Sequence, residues 1–402
     1  MTATAIHASR ILTPEEEISD GVIVVEGGRI AALGHRDEIR IPTGAVDHVA
    51  TGLTVVPGFV DVHIHGAGGH DFMEATPRAL DRITATVARH GTTSLVATTV
   101  SADIDETCRS LAGIAQYIRA HEKEANGAEG AAEGVPADRG LAAEILGVHL
   151  EGPFISRVRR GAHPSDALAT PTLEAFHKLA AAADGLVKIL TIAPEIPGAL
   201  EVIAAAVEAR IVVGIGHTDA TYEETRAAIQ AGARHAVHFY NAMRPFNHRD
   251  PGVVGAILTD PEVTAEVIAD LIHVSGPAIQ VLIGSKGFDT VLLASDGIAA
   301  TGMPDGNYRL GNFEVNVKDG VARNAEGKLA GSTLTLDRAL RNVVALGVPL
   351  VDALRMVTVL PARRLGVAGK KGILAVGADA DLVALTPDLR VAGVMTRGAG
   401  LA

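Results

Sequence analysis

Eight short apolar runs recur through the middle of this chain, at 59–64, 94–100, 145–150, 187–193, 211–215, 236–239, 264–268 and 290–294. Between them lie alanine-rich segments at 77–90, 103–121, 173–183, 199–209 and 222–231, with apolar residues at helical spacing. A strand buried on both faces reads as an unbroken apolar run, because neither face alternates with solvent. Eight such strands alternating with helices predict an α/β fold, a (β/α)8 TIM barrel, with chemistry at the C-terminal ends of the strands.

The two ends of the chain read differently. Residues 22–25 and 30–33 are apolar and flank Gly27-Gly28, which predicts a hairpin. Near the other end, 373–376, 382–385 and 391–394 are short strand-like runs separated by turn signals. Neither end alone has enough strands for a stable sheet, so the two are expected to pair into one small β-sandwich domain. The expected division is 1–57 and 365–402 for that domain and 58–364 for the barrel inserted between them. Residues 122–140, rich in Glu, Ala and Gly without apolar periodicity, read as a surface loop on the face away from the chemistry. Its deletion is expected to leave turnover nearly intact.

A hydrophobic content of 48% in 402 residues supports an extensive core. A net charge of −12, 3% aromatic residues and no Trp exclude a basic stripe or stacking platform, and no nucleic-acid partner is expected. No apolar run reaches the roughly 18 residues of a membrane span. The single Cys108 leaves no internal disulfide, and no basic and apolar leader opens the chain, so a cytoplasmic setting is expected.

The apolar runs end in chemistry-bearing residues. Glu151 closes GVHLE and is followed at once by Gly152-Pro153, as a strand entering a tight loop should be. His63 and His65 are two apart, so on a strand both point the same way toward one metal ion. Alone, that pair reads equally as polar residues in a loop mouth. His217 and His238 each end a further run, and either one alone is more readily a hydrogen-bonded core histidine. Together with Glu151 on a third strand, they suit a catalytic divalent metal with an open position. Asp296, after VLLAS, fits a proton acceptor for water or a turn residue before Gly297. His163 and His273 read either as substrate-positioning groups or as loop anchors.

Taken together, HIHGAGG, HLEGPF, RGAHP, GHTDA, HFYNAM, RDPG, HVS, SDGI, AGSTLTLDRAL and GADADLV resemble the amidohydrolase superfamily. Within it they resemble the N-acetylglucosamine-6-phosphate deacetylases, from about Pro57 to Leu385 and in family order. The resemblance implies that Glu151, His217 and His238 hold the principal metal and that Asp296 is general base and acid. It further implies that His163 and His273 contact the substrate and the developing oxyanion, and that Asn241, Ala242 and Arg249 contact sugar and phosphate. No lysine ends a barrel strand; Glu151 takes the place of the modified lysine of many superfamily members. With His63 and His65 both present, a second metal shared through Glu151 and Asp296 is expected, giving one or two divalent ions (Zn, Fe, Mn or Co) per subunit. An amino-sugar phosphate substrate and a homodimer are the implied partners. The rival readings are another amide hydrolase, such as an N-acyl amino acid deacylase or deaminase, and a non-catalytic scaffold barrel.

Overall fold

The computed structural model describes residues 3–125 and 140–401. Eight parallel strands form the central sheet: Phe59–Ile64, Thr92–Thr98, Glu144–Glu151, Val187–Ile192, Val212–Ile215, His235–Ala236, Thr264–Ile268 and Val291–Ala294. They neighbour one another in chain order, and the last meets the first through a parallel bridge from Ile64 to Gly297. The barrel expected from the apolar runs is therefore present. Its first, second, seventh and eighth strands are buried at every residue, the reason their sequences read as continuous apolar runs.

Helix starts follow their local chemistry. Thr76 caps Pro77–Ala88 by accepting from the Ala79 amide, with proline at the first helical position. Thr221 and Glu224 form a reciprocal capping box on Tyr222–Gln230, fixing where the chain turns back from the His217 strand end.

Strands from both termini share one seven-stranded sheet. In it Leu382–Leu385 pairs antiparallel with Val46–Pro57, and Thr4–Leu12 pairs parallel with that same strand on its other edge. Ile6, Ile11, Ile23, Val55, Leu382 and Met395 give this domain a core of its own. Lys371 joins it to the barrel. Its ammonium is 4% exposed and lies 2.7 Å from Glu144, 3.0 Å from Asp379 and 2.9 Å from Asp381. Glu144 opens the third barrel strand, whereas Asp381 directly precedes the strand Leu382–Leu385. Burial opposes the Lys371 charge, but Asp381, Glu144 and Asp379 together raise it above the ordinary lysine value.

The structure corrects the sequence reading in four places, one being 373–376, which forms no strand and instead packs Leu374 into the core of the terminal domain as irregular chain. The sixth strand is only His235–Ala236, not 236–239; beyond Ala236 the chain breaks into turns, with φ of 31° at His238, 79° at Tyr240 and 51° at Ala242. Val237 and Phe239 are apolar because they pack into the core, not because they extend the sheet. Residues 122–125 continue the helix Ile104–Ala125, as Glu, Lys and Ala favour, and the rest of the expected 122–140 loop up to residue 139 lies outside the described residues. After the eighth strand an unanticipated antiparallel sheet appears, Gly306–Leu310, Phe313–Lys318 and Val321–Asn324. Its second turn, Asp319-Gly320, has φ of 53° and 72°, the two left-handed residues a tight hairpin needs.

Candidate metal centre and substrate cavity

Glu151 leaves the third barrel strand beside the other strand ends, and Gly152 makes that exit feasible. At φ 81° a Cβ on Gly152 would stand 2.0 Å from Ser101 Oγ, so the backbone and the serine approach only because glycine is there. The Glu151 carboxylate lies between two sets of histidines. Its Oε1 is 3.2 Å from His217 Nε2 and 2.9 Å from His238 Nε2. Its Oε2 is 3.1 Å from His65 Nε2 and 3.5 Å from His63 Nε2. Asp296 Oδ1 faces the same histidine pair, at 3.3 Å and 3.6 Å. Two buried trios result, Glu151–His217–His238 and His63–His65–Asp296, the donor atoms of each within 4.8 Å of one another.

Hydrogen bonds behind the rings decide what these atoms can hold. His217 Nδ1 is 2.9 Å from the Arg159 carbonyl, which only accepts, so that nitrogen carries the proton. His63 Nδ1 donates likewise to Glu266 at 2.6 Å. In the neutral rings both Nε2 atoms then turn lone pairs toward the Glu151 carboxylate. Nε2 atoms also crowd one another, at 3.0 Å between His217 and His238 and 3.3 Å between His63 and His65. Lone pairs converging on carboxylates repel unless positive charge stands among them. Imidazole and carboxylate donors held from behind in this way fit divalent cations.

The electrostatics agree. Burial opposes charge on His63 and His65, yet Glu151, Glu266 and Asp296 raise His63 well above its ordinary value, and hydrogen bonds to Asp296 and Glu151 bring His65 to about 9. Burial likewise opposes charge on Glu151, yet His63 and the close rings of His163, His217 and His238 hold its carboxyl well below the usual range. The site favours positive charge beside its carboxylates.

Three of these side chains stand on left-handed backbone, His217 at φ 48°, His238 at 31° and Asp296 at 49°. Such a residue costs on the order of 1–3 kcal/mol and persists where its surroundings fix it. Here the Asp296 amide donates to the His63 carbonyl at 2.8 Å, and its carbonyl accepts from the Ser332 amide at 2.7 Å. The Ser156 amide holds the His217 carbonyl at 2.8 Å.

Above the trios opens a cavity of about 140 Å³, lined by His65, Glu151, His163, His217, His238, Asn241, Ala242, His273 and Asp296 from the sequence reading, with Leu310, Leu329 and Gly331 among the remainder. His63 is fully buried and does not line it. Arg249 does not line it either: it is exposed, and its guanidinium donates to His248 Nε2 at 3.0 Å. His163 is a defined donor. The Ser101 amide, which only donates, points at its Nδ1 at 3.2 Å, and burial lowers the ring to about 4, so the neutral form carries its proton on Nε2. That Nε2 lies 3.4 Å from Glu151. His273 is the converse, its Nδ1 donating to Asp270 at 2.7 Å, which leaves the neutral ring an accepting Nε2.

Three features escaped the sequence reading. Glu266 sits inside the seventh strand and contacts His63, His235 and the His238 amide. Its signal was a lone carboxylate within the apolar TAEVI. Ser101, which orients His163 at 2.8 Å, had no signal, because the partners are 62 positions apart. Leu310 belongs to the unanticipated sheet, which the Asp319-Gly320 dipeptide flanked by alternating residues would have revealed.

A closed parallel barrel with two histidine–carboxylate trios at its strand ends defines a hydrolase of the amidohydrolase class. The chain belongs to the amidohydrolase family, whose match spans residues 54–399. It is 38% identical to an N-acetylglucosamine-6-phosphate deacetylase of Vibrio furnissii, over 98% of this chain and 94% of that one. It is 37% identical to an N-acetylgalactosamine-6-phosphate deacetylase of Escherichia coli O157:H7, over 98% of both. A solved N-acetyl-D-glucosamine-6-phosphate deacetylase of Mycobacterium smegmatis, in complex with N-acetyl-D-glucosamine-6-phosphate, matches with a TM-score of 0.88 at 38% identity, covering 100% of this chain and 99% of that one.

Proposed function

We propose that this protein hydrolyses N-acetylglucosamine 6-phosphate to glucosamine 6-phosphate and acetate, in amino-sugar catabolism. The observation that carries this reading is the Glu151 carboxylate, shared between two histidine trios with Asp296 at the cavity wall. The names of the full-length relatives supply the substrate. Glu151, His217 and His238 would hold the principal ion, and His63, His65 and Asp296 a second, with Zn, Fe, Mn or Co each suited to such ligands. A divalent cation there supplies Lewis acidity, polarising the amide carbonyl and lowering the pKa of water at the site toward about 7.

The chain's own groups do the rest. Asp296 accepts the proton of the attacking water and delivers it to the sugar nitrogen as the C–N bond breaks, so that acetate and a free amine leave. Its backbone is fixed at both the amide and the carbonyl, which limits the reorganisation that carboxylate needs to act. His163 Nε2–H is positioned to stabilise negative charge on the acyl oxygen, and His273 Nε2 to accept from a sugar hydroxyl. Asn241 and Ala242, which line the cavity, would contact the sugar phosphate, and Arg249, exposed further along the same loop, would supply a guanidinium for the phosphate.

The setting is proposed to be cytoplasmic; among the described residues no helix is long and apolar enough to cross a membrane. The assembly is proposed to be a homodimer, as the family resemblance implies. A second reading keeps the chemistry and changes the sugar to the 4-epimer, N-acetylgalactosamine 6-phosphate, favoured by the comparably similar Escherichia coli relative.

The test is acetate release from both N-acetylated sugar phosphates and from unphosphorylated N-acetylglucosamine, with protein of measured metal content. Faster release from the glucosamine phosphate supports the first reading, and faster release from the galactosamine phosphate the second. Equal rates with and without phosphate remove the phosphate assignment, and ammonia in place of acetate marks a deaminase.

A further inference from the structure

Glu266 lies mid-strand in Thr264–Ile268, fully buried inside the barrel rather than at its mouth, and does not line the substrate cavity. A carboxylate so placed is retained only where its lone pairs are satisfied. One oxygen, Oε1, accepts from His63 Nδ1 at 2.6 Å and from the His238 backbone amide at 2.7 Å. The other, Oε2, stands 3.1 Å from His235 Nε2, whose Nδ1 reaches Thr264 Oγ1 at 2.9 Å. The Glu266 carbonyl accepts from the Phe239 amide at 2.8 Å, so side chain and main chain grip the same turn.

His63 belongs to one trio and His238 to the other. By accepting the Nδ1 proton, Glu266 leaves the His63 Nε2 lone pair facing the centre. By accepting the His238 amide, it holds a histidine whose φ of 31° is otherwise unfavourable. We infer that Glu266 is a positioning residue that joins the two trios into one centre, setting the ring of a ligand in one and the backbone of a ligand in the other. The inference rests on the proposed reading of the trios as cation ligands and extends it to a group that touches neither cation nor substrate.

The test uses Glu266→Gln and Glu266→Ala. The glutamine is nearly isosteric and its oxygen can take both Oε1 hydrogen bonds, so it removes the charge and turns its NH2 toward His235 Nε2 while keeping both contacts to the trios; the alanine removes charge and hydrogen bonds together. Metal-free protein is titrated with Zn²⁺ in competition with a chromophoric chelator, bound zinc is counted, and kcat and KM are measured separately on the acetylated sugar phosphate. Partners behind metal ligands typically contribute 10–100-fold in affinity. Glu266→Ala is expected to weaken zinc by about that factor, to lower the number of ions bound and to lower kcat with KM unchanged, and Glu266→Gln, which keeps both hydrogen bonds to the trios, to stay within a fewfold of wild type in each. Zinc binding in Glu266→Ala equal to wild type in both affinity and number overturns the inference. So does a Glu266→Gln that binds zinc about tenfold or more weakly, which would place the effect in the charge and not in the two hydrogen bonds, and that result decides alone if the alanine does not fold. Wild-type protein that binds zinc without releasing acetate defeats the substrate assignment and leaves the Glu266 inference standing on the zinc titration; wild-type protein that binds no divalent ion overturns both.

Discussion

Replacing Lys371 with methionine tests whether one buried ammonium holds the terminal domain to the barrel. The substitution keeps an unbranched side chain and deletes the charge, leaving Glu144, Asp379 and Asp381 facing one another. The Glu144 and Asp379 side chains are 33% and 16% exposed and can turn toward water, but that of Asp381 is 3% exposed and cannot. Burial already outweighs Lys371 and raises the Asp381 carboxyl above its ordinary value. Without the lysine, the cheapest relief is to protonate Asp381. Starting from an unfolded pKa of about 3.9, that costs about 4 kcal/mol at pH 7 and about 1.5 kcal/mol at pH 5. The first value falls in the range of about 3–5 kcal/mol seen when one partner of a buried pair is removed. With an unfolding entropy of roughly 2.1 cal/mol/K per residue, the variant should melt about 5 °C below wild type at pH 7 and about 2 °C below at pH 5. The sign is fixed by linkage: a folded-state carboxyl raised above its unfolded value takes up protons first, so the folded variant gains as pH falls. The raised Lys371 of the wild type contributes stability that is complete below about pH 10 and lost only above it, so this group adds no slope between pH 5 and 7. Calorimetry at the two pH values reads both quantities. A midpoint within 1 °C of wild type at pH 7, or a gap that does not narrow at pH 5, refutes the reasoning.

Asp296→Asn should lower kcat by about 10²- to 10⁴-fold, or about 3–5 kcal/mol of barrier, while the Glu151 trio still binds metal; near wild-type turnover would make Asp296 a turn residue. Ser101→Ala removes the hydroxyl that meets His163 Nδ1 at 2.8 Å but keeps the backbone amide on the same nitrogen, so kcat should fall by no more than about tenfold with KM unchanged. Loss of zinc in that variant would show that Ser101 acts on the metal centre instead. Dialysis against a chelator should abolish acetate release, and adding back Zn²⁺, Mn²⁺ or Co²⁺ should restore it; activity that survives with no metal detected by elemental analysis would remove the cation from the mechanism.

The barrel was legible because its strands are buried on both faces and write themselves as apolar runs. The donors Glu151, His217 and Asp296 were legible because each follows or closes such a run, where a side chain turns from the sheet into the mouth, and His238 because it lies just past the sixth. Glu266 was not, since a carboxylate in mid-strand looks the same in sequence whether it faces the barrel interior or the helices outside. The 236–239 run failed for a related reason: hydrophobicity records burial, and Val237 and Phe239 are buried in turns. The proposed phosphate contact was the least legible, because Arg249 is exposed on a loop outside the cavity lining, a placement that spacing does not encode.

The sheet built from both termini sets a schedule for synthesis. The strand Val46–Pro57 leaves the ribosome early, yet its partner Leu382–Leu385 follows more than three hundred residues later, roughly 15–65 s at ordinary elongation rates. Throughout that interval the nascent chain presents an unmated edge on which a second polypeptide could add a strand. The vacant stretch is only Thr54 to Pro57, and it ends in a residue that offers no amide hydrogen. Brevity and the terminal proline guard the growing chain until its own last strands arrive.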